Sequence, residues 1–129
     1  MNILFIEDER ELLAAGMEQM EFLGHVVYPA KDLSQARAIL EDKSITLHCI
    51  IADRNLPDGC GIKFLKEVLD THPRCKSAIV SAHLTDANIE ELKRYNIAYY
   101  LKPLLYSTVL SELLSKYGEG LKPVDTSLS

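Results

Sequence analysis

The fold this sequence predicts is an open α/β sheet, parallel and wound by helices on both faces. Short apolar segments alternate with amphipathic ones, each pair taking roughly twenty to thirty residues. Several of the apolar segments are apolar throughout, as strands covered on both faces are. Parallel strands joined by helices must cross over right-handedly, which gives a doubly wound, three-layer αβα sheet in one domain.

The elements follow in order. "NILFI" (2–6) is the first strand, and Leu13, Met17 and Met20 recur at helical spacing behind it until Gly24 stops the helix. "HVVYPA" (25–30) is the second strand, followed by a helix carrying Leu33, Ala36 and Leu40. "LHCIIAD" (47–53) is the third; it ends on a carboxylate and runs straight into the turn-forming "NLPDG". Ile62, Leu65 and Leu69 mark the third helix, closed by "THPR", and "KSAIVS" (76–81) is the fourth strand. Ile89 and Leu92 mark the fourth helix, "AYYLK" (98–102) the fifth strand, and Val109, Leu113 and Tyr117 the fifth helix, with "YGEG" as its stop. From Glu119 the sequence loses periodicity, so residues 119–129 are expected to be a flexible tail or the start of a linker behind a domain of residues 1–118, with no effector domain after it.

Composition excludes several classes. With 129 residues and 47% hydrophobic content, the chain is the length of one domain with a sizeable core. A net charge of −5 without a Lys/Arg run argues against direct nucleic-acid binding. Cys49, Cys60 and Cys75 are odd in number and lack CxxC spacing, and "MNILFIEDER" puts acids where a signal peptide needs bases, so a reduced, cytoplasmic protein is expected. No apolar run approaches the roughly 20 residues of a membrane span. His25, His48, His72 and His83 have no i, i+4 pairing, which argues against zinc or haem, and Cys60 has no basic neighbour to make it a thiolate.

In such sheets a ligand binds outside the carboxyl ends of the strands. Glu7 and Asp8 follow the first strand there, Asp53 and Ser81 end the third and fourth, and Lys102-Pro103 follows the fifth. Each has an ordinary reading: Glu7, Asp8 and Glu9 as acids at a helix start, Asp53 as a cap on the next turn, Ser81 as a turn hydroxyl, Lys102 as a surface charge. Their convergence favours another. Crowded carboxylates call for a cation, and hard oxygen donors suit magnesium better than zinc. With a hydroxyl and an ammonium beside them they make a phosphoryl site.

Four motifs, "FIEDE", "IIADRNLPDGCG", "AIVSAH" and "YYLKP", each stand after their own strand, and together they resemble the receiver domain of two-component response regulators from Asn2 to about Gly118. The resemblance implies a flavodoxin-like sheet of order 2-1-3-4-5. It implies that Asp53 takes a phosphoryl group from a sensor histidine kinase, a histidine phosphotransfer protein or a small acyl phosphate. Magnesium would be held by Glu7, Asp8, Asp53 and the backbone carbonyl of Asn55. Lys102 would pair with a phosphoryl oxygen, Ser81 would donate to the new group, and Tyr99 would turn inward behind it as the switch aromatic. Such a protein catalyses only its own aspartyl phosphorylation and dephosphorylation. His83 and Asn55 stand two residues beyond Ser81 and Asp53, where the family tunes access of water to the acyl phosphate.

Two departures stand out: Glu7 occupies a place where Asp is commoner, and Ser81 one where Thr is frequent. Lys102-Pro103 resembles the family's cis peptide. The signal is expected to leave through the fourth helix, fifth strand and fifth helix, where Glu90, Glu91, Lys93, Arg94, Tyr106, Glu112 and Lys116 offer a mixed-charge surface to a second copy or an effector. An aspartate-nucleophile phosphatase would want an acid where Asn55 stands, and a nucleotide or flavin carrier a Gly-rich loop where "EDER" stands. A degenerate receiver used only for docking is the remaining alternative.

Overall fold

The computed structural model describes residues 1–121, with 116–121 described only by their place in a helix. Five strands, β1 (Asn2–Ile6), β2 (Val26–Ala30), β3 (Cys49–Asp53), β4 (Lys76–Ser81) and β5 (Ala98–Leu101), form one sheet of order β2-β1-β3-β4-β5 with every neighbouring pair parallel. This is the predicted architecture and order. The chain leaves β1 toward one edge and returns to pair β3 on its other side, which puts the reversal of strand order between β1 and β3.

Alternate strand residues feed two cores. Leu4, Ile6, Ile50, Ala52 and Ile79 face α2 (Leu33–Glu41), α3 (Gly61–Thr71) and α4 (Asp86–Arg94). Ile3, Phe5, Cys49, Ile51, Ala78 and Val80 face α1 (Arg10–Phe22) and α5 (Tyr106–Leu121). All five residues of β3 are buried, which is why that stretch reads as apolar without alternation.

Several boundaries differ from the sequence reading. β2 begins at Val26, because the His25 N–H bonds the Met20 carbonyl and closes α1 instead of joining the ladder. β3 begins at Cys49; the Leu47 carbonyl accepts from the Cys75 thiol. β5 ends at Leu101, although the Lys102 N–H still reaches the Ser81 carbonyl at 2.9 Å. "YGEG" does not stop α5, which runs through Gly118 and Gly120 to Leu121. Glycine weakens a helix by about 1 kcal/mol against alanine but adopts its dihedrals readily, and it favours a stop where it takes a left-handed conformation, as Gly24 does at φ 95° behind α1. The side chains of Lys116 and Tyr117, and the stretch expected to be loose beyond residue 121, lie outside the described residues.

The turn after β3 is a small hairpin, Asn55–Leu56 against Gly59–Cys60. At its tip the Asp58 carboxylate accepts the Leu33 and Ser34 N–H groups at 2.9 and 3.0 Å, sharing the cap of α2 with Asp32, which accepts from Gln35. The loop beside Asp53 is therefore pinned to a neighbouring helix. α4 is held more lightly. A Thr85–Asn88 capping box starts it, Leu92 is its one fully buried residue, and Lys66 ties its second half through Glu91 at 2.6 Å. No helix among the described residues is long and apolar enough to cross a membrane.

Candidate functional site

Parallel pairing brings every strand's carboxyl end to one rim, and there the structure joins residues up to 95 positions apart. Lys102 Nζ donates to Glu7 Oε1 and to Asp53 Oδ2, both at 2.8 Å. Glu7 is 1% exposed and Asp53 9%, so the ammonium bridges two carboxylates largely withdrawn from water. The Glu9 N–H donates to the other Glu7 oxygen at 3.1 Å, and the Asn55 N–H to Asp53 Oδ1 at 3.2 Å. Asp8 is exposed at the mouth of the cluster. The Lys102–Pro103 peptide is cis, as the sequence suggested.

Burial raises the pKa of Glu7 above its ordinary 4.5, against the opposing pull of Lys102 and the Glu9 N–H. Burial would lower Lys102, but its bonds to Asp53 and Glu7 outweigh that and hold it above its ordinary value. The two carboxylates thus hold Lys102 charged, while Lys102 only partly offsets what burial does to Glu7. Tyr106, buried under the rim with its ring edge-on to Phe5, is pushed up to about 12 by burial and then by the Glu7 charge. Room for this aromatic pair comes from Gly16, where a Cβ would stand 2.6 Å from Phe5.

Glu7, Asp8 and Asp53 each place a carboxylate oxygen within 4.8 Å of the others. Three hard, charged oxygens at that spacing fit a small divalent cation and not a soft one. Ser81 Oγ closes another side of the rim; it donates to the His83 carbonyl at 2.9 Å and accepts the His83 N–H at 3.3 Å. The His83 side chain itself is exposed. Tyr99 lies apart from the acid–lysine cluster, half-buried against the core on the α4 face and paired with Ile79.

Sequence reasoning passed over Gly61, Asp58 and the pair Arg54–Asn88. Arg54 Nη1 donates to Asn88 Oδ1 at 2.8 Å, linking the residue after Asp53 to the cap of α4. Only Gly61 carried a signal, as the second glycine of "DGCG" where a turn meets a helix.

The sequence matches the response regulator receiver domain family over residues 3–113. The chain belongs to that family. The receiver domain is 26% identical to the sensor kinase CckA of Brucella abortus, a match covering 89% of this chain and 13% of the kinase. It is 28% identical to the transcriptional regulatory protein DpiA of Escherichia coli, covering 91% of this chain and 52% of that regulator. The chain thus spans a small part of the kinase and about half of the regulator. Among solved structures, a CheY-like response regulator receiver domain protein from Methanospirillum hungatei superposes with a TM-score of 0.81 at 23% identity, covering 89% of this chain and 91% of that one. A two-component response regulator from Clostridium difficile gives 0.80 at 18%, covering 91% and 98%. At those identities the superpositions speak for the fold alone.

Proposed function

We propose that this receiver domain is a phosphorylation switch with Asp53 as phosphoacceptor, and the observation that carries the reading is the Asp53 carboxylate held by Lys102 within the acidic cluster. An Asp53 oxygen attacks phosphorus as the P–N bond of a phosphohistidine breaks. The histidine nitrogen keeps that electron pair and a P–O bond forms to Asp53. Lys102 moves with the charge, from the carboxylate to a phosphoryl oxygen. Glu7, Asp8, Asp53 and the Asn55 carbonyl would hold magnesium, which when bound offsets the charge of the transferring group. Without a cation the acids repel an anionic donor.

Ser81 then exchanges its bond to the His83 carbonyl for one to a phosphoryl oxygen. Tyr99 turns toward the space this opens, and the surface of α4, β5 and α5 changes. A phosphoryl group adds roughly −1.5 to −2 charges, enough to bias a loop with two arrangements. The partner upstream is a histidine kinase or phosphotransfer protein, the partner downstream an effector or a second copy, and the setting is the cytoplasm. The only chemistry is the domain's own phosphorylation and dephosphorylation.

Incubation with acetyl phosphate and magnesium, followed by intact mass, tests this. One added phosphoryl group is expected in the wild type and none in Asp53→Asn. Equal labelling of the two would overturn the assignment.

A further inference from the structure

We propose that Arg54 is a positioning residue for the switch, whose bond to Asn88 holds the first turn of α4 in its unphosphorylated arrangement. The inference rests on the reading of Asp53 as phosphoacceptor. Arg54 follows Asp53 directly, and its guanidinium spans 34 sequence positions to reach Asn88. The oxygen it reaches is already in use. Asn88 Oδ1 accepts the Thr85 N–H at 3.0 Å while the Asn88 N–H donates to Thr85 Oγ1 at 3.0 Å, so one amide oxygen serves both the helix cap and the arginine. Arg54 Nε is buried without a hydrogen-bond partner. A buried donor left unpaired is costly, so the arginine has something to gain from another arrangement.

The route from the phosphoryl site is short. Ser81 Oγ holds both backbone groups of His83, and Thr85 lies two residues further on. If Ser81 turns to a phosphoryl oxygen, both bonds to His83 are lost and the loop leading to Thr85 is released. The Arg54–Asn88 bond resists that movement. At the other end of α4, Lys66 stays bonded to Glu91 and stacked over the Tyr95 ring at 4.7 Å, ties that lie away from the rim. With Leu92, its one fully buried residue, in that same half, α4 is set to pivot about its second half once Arg54 lets go of the first.

The test uses the full chain, with beryllofluoride plus magnesium as the phosphoryl mimic and amide chemical shifts as the readout. In unphosphorylated Arg54→Ala, resonances of residues 83–94 are expected to lie displaced toward their positions in beryllofluoride-bound wild type, with the mimic bound at least about fivefold more tightly. Asn88→Asp keeps the cap acceptor and strengthens the arginine bond, so it is expected to weaken mimic binding. That effect should largely vanish in the Arg54→Ala background, because the two residues are coupled through one bond. Arg54→Lys, which keeps the charge without the fork, should fall between wild type and Arg54→Ala. Unmoved 83–94 resonances and unchanged affinity in Arg54→Ala, alongside a responding wild type, would overturn the role of Arg54 alone. So would an Asn88→Asp effect that survives in full without the arginine. A wild type that takes up no mimic would overturn the phosphoacceptor reading itself.

Discussion

Gly61 and Asp53 touch so closely that a Cβ at 61 would overlap the Asp53 carbonyl oxygen and crowd the Arg54 Cα. The Gly61 N–H donates to the Arg54 carbonyl at 2.7 Å, so this first residue of α3 is also the floor under the end of β3. No flexible side chain is there to give way; the obstacle is backbone.

Gly61→Ala therefore has to push β3 or α3 aside. Overpacking of this kind costs about 1–3 kcal/mol, to be read as a lower urea midpoint. The larger effect should fall on Asp53, since misplacing a reacting group by ~1 Å can cost about a hundredfold in rate. Acetyl phosphate labelling of the folded variant should slow at least about tenfold. A stability loss with an unchanged labelling rate would mean that the displacement is absorbed by α3.

Magnesium should stabilise the fold by binding the native acid cluster and not the unfolded chain. Each tenfold rise in free magnesium above its dissociation constant adds about 1.4 kcal/mol to unfolding. Thermal melts across a magnesium series should show a rising midpoint that chelator reverses. Asp8→Ala should flatten the series, because Asp8 is the exposed member of the three carboxylates and lies outside the Lys102 bridge. A slope as steep in Asp8→Ala as in the wild type would place the cation elsewhere.

The parts of this molecule that were legible from sequence are those with a period. β1 and β4 match their expected spans residue for residue, and the helix stripes of Leu13, Met20, Ile62 and Leu65 are buried as their spacing implied. The rim was legible for a different reason: parallel crossovers force all strand ends to one edge, so Glu7, Asp53 and Lys102 could be grouped without any distance. What had no period stayed hidden. Arg54 and Asn88 meet only because β3 and the start of α4 converge in space, and Asp58 caps a helix that begins 25 residues before it. "YGEG" misled because glycine permits a helix end without requiring one.

The last expectation concerns pH. Glu7 has a folded pKa above its ordinary 4.5, so its contribution to stability is complete below that value and is lost as pH rises through the raised folded value. Lys102 is raised as well, and its contribution is complete below its ordinary 10.5 and lost only as pH climbs through the still higher folded value. At neutral pH the lysine is thus fully charged and lowers Glu7 by hydrogen bond and by charge. Lys102→Met removes both influences and leaves burial and the Asp53 charge, which raise Glu7, opposed only by the Glu9 N–H, so Glu7 climbs further toward neutrality. The variant should lose about 2 kcal/mol at pH 8, where two carboxylates stand unbridged. On acidification to pH 5.5 it should recover about 1.4 kcal/mol for each unit by which Glu7 has risen into that window. Urea midpoints of wild type and variant at the two pH values measure this. Convergence at the lower pH is expected, and parallel midpoints would show that Lys102 does not keep Glu7 ionised.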